Sequence, residues 1–100
     1  MKNIQDNYDL ILLGGEVVLP NSKIEKLDIG IIDSKIAMLG DLSRKSATKI
    51  LKINGLLVLP GAIDTQVHFR EPGLTHKEDI YHGTRGAVLG GTTSIFEMPN

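Results

Sequence analysis

Over the first 59 residues the apolar positions come in short runs separated by turn-forming residues. Tyr8–Leu13 leads into Gly14-Gly15, and Glu16–Leu19 stops at Pro20-Asn21-Ser22. Lys26–Ile32 and Lys35–Leu39 flank Asp33-Ser34, a spacing that predicts a two-residue hairpin. Lys49–Ile53 and Leu56–Leu59 flank Asn54-Gly55, the strongest short hairpin signal in the chain. Enrichment of the runs in Ile, Leu and Val favours strands. Residues 1–59 therefore predict a strand-rich segment, and nothing in it gathers groups suited to catalysis.

The rhythm changes at Pro60-Gly61. Ala62–Phe69 predicts one strand, with Asp64, Gln66 and His68 on one face and Ile63, Val67 and Phe69 on the other. Arg70-Glu71-Pro72-Gly73 reads as a loop. Thr75-His76-Lys77-Glu78 fits a capping box that opens a helix from about His76 to Leu89. Such a helix presents Ile80, Thr84, Ala87 and Val88 on one side, and Gly90-Gly91 stops it. Thr92–Phe96 follows as a second strand, running out through Glu97-Met98-Pro99-Asn100. Strand, helix and strand make the repeating unit of a parallel α/β sheet. A closed barrel of such units takes about 250 residues, so residues 60–100 predict a piece of one whose strands need further partners.

Composition narrows the function classes. Eleven basic and twelve acidic residues leave a formal charge of -1. The tightest basic group, Arg44, Lys45, Lys49 and Lys52, is interrupted and has no aromatic partners, which argues against nucleic acid. The absence of cysteine excludes disulfides and thiolate metal sites. Apolar runs such as Leu10–Leu13 and Leu56–Leu59 are too short to span a bilayer. Acids precede any apolar run at the N-terminus, unlike a signal peptide, so a cytoplasmic location is expected.

His68 is the strongest candidate for metal coordination, because a neutral imidazole suits zinc-class ions. A structural, hydrogen-bonded histidine is the other reading of that residue. Asp64 and Gln66 beside it matter because polar side chains sharing a strand face are costly unless satisfied. Arg70 carries a planar fork suited to bidentate binding of a carboxylate. The alternatives for it are an ion pair with Glu71 or Glu97, or a solvated loop position. Asn100 offers an amide donor beyond the second strand, or serves as a turn residue after Pro99. Glu71 reads as loop bracing, His76 and His82 as residues of the helix and its first turn, and Lys77 as solvated. Glycines 83, 86, 90 and 91 fall within and after the helix, so they form no phosphate-binding fingerprint.

The run Pro60-Gly61-Ala62-Ile63-Asp64-Thr65-Gln66-Val67-His68-Phe69-Arg70-Glu71-Pro72-Gly73 resembles the first barrel strand of dihydroorotase-like cyclic amidohydrolases. Thr75-His76-Lys77-Glu78-Asp79, Gly90-Gly91-Thr92-Thr93 and Met98-Pro99-Asn100 continue the resemblance, and Asp28–Ile32 with Lys35-Ile36-Ala37 looks like the family's β-rich segment before the barrel. The resemblance implies the N-terminal part of a (β/α)8 TIM-type barrel over residues 60–100, preceded at 1–59 by a segment of a small β-sandwich, in a truncated chain. It implies a zinc-dependent hydrolase of cyclic amides, with one or two ions per full-length chain activating water. His68 falls at a metal-ligand position, and Arg70 and Asn100 at positions that bind the carboxylate end of the substrate. Gln66 stands where the family usually has a histidine ligand, and its amide oxygen is a poorer zinc donor. A bridging lysine, further histidines and a catalytic aspartate are expected beyond residue 100, so this segment alone is expected to be inactive.

The implied reaction converts dihydroorotate to and from N-carbamoyl-L-aspartate in pyrimidine biosynthesis. The alternatives are an allantoinase, a dihydropyrimidinase-like hydrolase, or a non-catalytic dihydroorotase-like assembly subunit. The expected partners are a small cyclic amide with a carboxylate, and a second copy or another pyrimidine-pathway enzyme; neither nucleic acid nor a membrane is expected.

Overall fold

The computed structural model describes residues 7–100, which divide into two compact units between Leu59 and Pro60. The first unit holds β1 (Asn7–Leu13), β2 (Glu16–Val18), β3 (Ile24–Lys26), β4 (Asp28–Ile32), β5 (Lys35–Gly40), β6 (Ser46–Lys52) and β7 (Leu57–Val58). They form a four-stranded sheet, β5-β4-β1-β6, and a three-stranded sheet, β3-β2-β7. β1 pairs antiparallel with β4 and parallel with β6, while β2 pairs antiparallel with β3 and parallel with β7.

The Asp33-Ser34 hairpin forms as expected. Both residues take positive φ, 50° and 62°, as the twist of a tight two-residue hairpin demands, and Ile32 pairs with Lys35 across it. Asn54-Gly55 does not make a hairpin. Its flanking strands, β6 and β7, belong to different sheets. The turn is closed by the Leu56 N–H donating to the Ile53 carbonyl at 3.1 Å, and within it only Gly55 has positive φ, 81°. The run expected as one strand over Lys26–Ile32 likewise divides at Leu27, giving β3 to one sheet and β4 to the other.

The core of this unit is the buried cluster of Tyr8, Ile11 and Leu42, with Leu13, Ile32 and Ala47 packed against it. Asp28, only 9% exposed, ties loops to that core. Its two carboxylate oxygens accept from the Gly14 N–H at 2.7 Å and the Leu42 N–H at 2.8 Å. One side chain thus holds the exit of β1 and the loop after β5.

The second unit holds β8 (Ala62–Val67), α1 (Ile80–Leu89) and β9 (Thr92–Glu97), with β8 and β9 paired in parallel. The helix begins four residues later than the capping-box reading. Asp79, in extended conformation at φ -127° and ψ 168°, caps it by accepting from the His82 N–H at 2.8 Å. The His82 ring Nδ1 lies 2.8 Å from the same carboxylate oxygen. Thr75 sits instead in a turn that the Lys77 N–H closes on the Leu74 carbonyl. A short carboxylate next to the first helical residue wins over the hydroxyl upstream. The packed side of the helix differs too: Gly83 is buried and Thr84 and Ala87 are half-buried, whereas Ile80 and Val88 are exposed. Gly90 ends the helix as expected, and Gly91 follows at φ 89°.

Removing the Asp28 carboxylate strips acceptors from two backbone donors, each hydrogen bond to a charged group being worth about 1.5–3 kcal/mol. Asp28→Ala is expected to lower unfolding stability by about 3 kcal/mol and Asp28→Asn by roughly half that, read from denaturant midpoints. The His82 backbone N–H, then its ring, hold the Asp79 carboxyl below its ordinary value of 3.8. A carboxylate lowered in the folded state stabilises above its unfolded value and loses that effect as pH falls through the folded one. Protection of the His82 amide, corrected for intrinsic exchange, should therefore persist at pH values above 3.8 and be lost as pH falls below it. Asp79→Ala should leave it low and flat.

Candidate functional site

Because β8 and β9 run in parallel, the segments leaving their C-terminal ends emerge at the same edge of the pair. Three contacts tie these segments together. The Met98 N–H donates to the Val67 carbonyl at 2.7 Å. The Phe69 N–H donates to the Glu97 carboxylate, 3.1 Å from each oxygen. The Asn100 side-chain amide donates to the Pro72 carbonyl at 2.6 Å. The Leu74 N–H to the Arg70 carbonyl, 2.9 Å, closes the loop between them.

Phe69 is held at both ends. The residue is 7% exposed, and its ring lies against Gly83 of α1, where an added Cβ would come within 2.5 Å of the ring. Only a residue without a side chain lets helix and ring approach that closely. The residues on either side of Phe69 are the two that carry candidate chemistry.

His68 is exposed and lies immediately past the last residue of β8. Gln66, also exposed, falls in an irregular stretch of the ladder. Asp64 pairs with Ile95 and Val67 with Glu97, so β8 carries one residue more than β9 between those pairs. The Gln66 N–H turns to the Asp64 carboxylate at 3.1 Å. The regular alternation expected to align Asp64, Gln66 and His68 is therefore broken by a bulge, a device that re-aims side chains. Arg70 is half-buried at φ 68°. Among the described residues it has no ion-pair partner, so the expected alternative of a bridge to Glu71 or Glu97 does not form. Asn100 uses its amide donor to brace the Pro72 loop. Glu71, Pro72, Glu97, Met98, Pro99 and Asn100 line a shallow open concavity beside it. His76 stays exposed in its turn, and His82 is engaged at the helix cap.

Glu97 is the residue that sequence reasoning missed as more than an ion-pair candidate. The available signal was its place: an acid at the last position of the second strand, opposite the end of the first.

Among the described residues no group of three or more histidine, aspartate or glutamate side chains lies close enough to hold a metal ion. His68, with an exposed imidazole, fits one position of a coordination shell, and the Gln66 amide oxygen fits a weaker one. Asp64 has one carboxylate oxygen committed to the Gln66 amide. The donors among the described residues therefore do not by themselves make up a coordination shell.

No family model matches the chain. A dihydroorotase of Pelotomaculum thermopropionicum is 48% identical over 92 residues, covering 91% of this chain and 22% of that protein. An allantoinase of Rubrobacter xylanophilus is 46% identical over 92 residues, covering 92% of this chain and 20% of that protein. The solved structure of an L-hydantoinase (dihydropyrimidinase) from Arthrobacter aurescens superposes with a TM-score of 0.85 at 30% identity, covering 92% of this chain and 21% of that one. The chain spans about a fifth of the length of the relatives it matches. No helix among the described residues is long and apolar enough to cross a membrane. With matching sequence over nine-tenths of its length and the fold of an N-terminal portion of their barrel, the chain is homologous at family level to the dihydroorotase- and allantoinase-like members of the amidohydrolase superfamily.

Proposed function

We propose that the whole protein is a metal-dependent cyclic amidohydrolase acting in the cytoplasm on dihydroorotate, interconverting it with N-carbamoyl-L-aspartate in pyrimidine biosynthesis. The observation that carries this reading is Arg70: a guanidinium without an ion-pair partner among the described residues, two positions from His68 at the edge where both strands end. A substrate with a carboxylate on its ring supplies the anion that such a guanidinium lacks. Neutral cyclic ureides do not.

His68 would hold a zinc-class ion, with Gln66 as a weaker second donor. Such an ion supplies Lewis acidity for opening a ring amide when bound. Arg70 orients the substrate by a bidentate grip on its carboxylate. Asn100 braces the loop after Arg70 and borders the same end of the substrate. Among the described residues the proposed roles are limited to His68, Gln66, Arg70 and Asn100, and no turnover is expected from residues 1–100 alone.

Two other readings each have an observation behind them. The allantoinase relative is nearly as similar as the dihydroorotase one, which supports a ureide substrate almost equally. Gln66 favours a non-catalytic subunit that assembles with a second copy or with another enzyme of the pathway. Assay of the whole protein on dihydroorotate, allantoin and dihydrouracil separates these readings, and preference for the neutral compounds overturns the first.

Loss of a bidentate charged contact costs about 2 kcal/mol or more. Arg70→Met should therefore raise KM for dihydroorotate by about 30-fold or more, with little change for dihydrouracil. Gln66→His should increase zinc retained after dialysis, measured by elemental analysis. Full zinc occupancy and brisk turnover in the unsubstituted protein would eliminate the non-catalytic reading.

A further inference from the structure

Glu97 closes β9 in register with Val67, the last residue of β8. Phe69 lies two residues beyond that pair, past the end of the strand ladder, so its N–H has no partner from the sheet. The Glu97 carboxylate reaches across to take it, with both oxygens 3.1 Å away in a partly buried setting. Among the described residues no arginine or lysine neutralises this carboxylate. Its one described partner is the amide between His68 and Arg70.

We propose that Glu97 is a positioning residue of this site, a role that rests on the reading of His68 and Arg70 given above. By fixing the Phe69 amide, it sets the spacing between the metal-holding imidazole and the carboxylate-binding guanidinium. The site is thereby matched to a ring amide whose carboxylate stands at a fixed distance from the bond to be opened. The Phe69 ring, seated on Gly83, anchors the same residue from the other end. With both anchors in place the main chain between His68 and Arg70 has little freedom left. Without Glu97 the Phe69 N–H loses its described partner, and the peptide between His68 and Arg70 can tilt about the seated ring, within the limits set by the Val67 and Arg70 carbonyl bonds on either side.

A mere brace and a positioning residue differ in what moves when they are lost. Destabilisation lowers the amount of active enzyme and so the maximal rate, but it leaves KM unchanged; misplacement of Arg70 raises KM. The test compares Glu97→Ala, Glu97→Asp and Glu97→Gln in the whole protein. Readouts are steady-state kinetics on dihydroorotate and hydrogen–deuterium exchange of the peptide spanning Phe69 and Arg70. In Glu97→Ala the Phe69 amide should exchange at least about tenfold faster, the loss expected for a bond to a charged acceptor. KM for dihydroorotate should rise by about tenfold. Glu97→Gln keeps one oxygen at the same reach and should return both quantities to within about threefold of the parent. Glu97→Asp keeps the charge but withdraws it by one methylene, and should behave like Glu97→Ala; it also serves if the alanine variant does not fold. An unchanged KM in Glu97→Ala and Glu97→Asp, or a glutamine variant no better than they are, overturns the proposal. If the unsubstituted protein turns over no dihydroorotate, the functional reading fails separately. The exchange pattern then decides positioning: fast exchange at Arg70 in alanine and aspartate with recovery in glutamine supports it, and equal exchange in all four proteins overturns it.

Discussion

Two parallel strands cannot be joined by a tight turn, because the chain must travel back along the pair before it can start again in the same direction. That constraint governs residues 60–100. β8 and β9 lie side by side and parallel, so everything between Val67 and Thr92 is an excursion, with α1 as its return limb. The geometry then has a consequence that no single residue dictates. The chain leaving β8 and the chain leaving β9 do so at the same edge, and residues nearly thirty positions apart come together there. Phe69 meets Glu97 and Pro72 meets Asn100 for this reason alone, each across 28 positions of sequence.

Holding that edge falls to different kinds of interaction. The Met98–Val67 bond is an ordinary backbone contact that extends the pairing by one step. The Glu97 contact is charge-assisted, which strengthens it, and it is partly shielded from water. The burial of Phe69 adds an apolar anchor, worth about 1.5–3 kcal/mol for a side chain of that size. Structural stability is concentrated on the residue that carries no polar chemistry. Its two neighbours, His68 and Arg70, keep their side chains uncommitted among the described residues. An exposed imidazole and a half-buried guanidinium can be held in place without being used up in holding the fold.

Much of the architecture was legible because local chemistry and global pairing agreed. The Asp33-Ser34 hairpin formed since both residues accept positive φ and Ile32 pairs with Lys35 across them in the same sheet. The strand–helix–strand unit was legible from its change of period. Asn54-Gly55 misled because a turn sequence states how sharply the chain bends and not which sheet receives the next strand. Glycine alone took positive φ there, and the chain crossed to the other sheet. The helix start was misplaced because Thr75 and Asp79 are both competent caps, and only the turn at Leu74–Lys77 removes the first from contention. Among site residues, the place of Arg70 near His68 was readable from adjacency. The Glu97 contact was not, since it depends on where β9 ends relative to β8.

The bulge at Gln66 bears on how its identity should be understood. Within a regular ladder, a change of side chain is entangled with the packing of neighbours on the same face. Here the backbone N–H of Gln66 is satisfied by Asp64, outside the ladder, and the side chain is exposed. Neither the pairing of β8 with β9 nor the seat of Phe69 depends on what stands at position 66. What the substitution alters is donor chemistry: a neutral amide oxygen in place of an imidazole nitrogen, one residue before the strand ends and two before His68. The Phe69 amide is held from a different part of the chain, by Glu97 at the end of β9, so position 66 and the peptide between His68 and Arg70 are fixed by separate contacts.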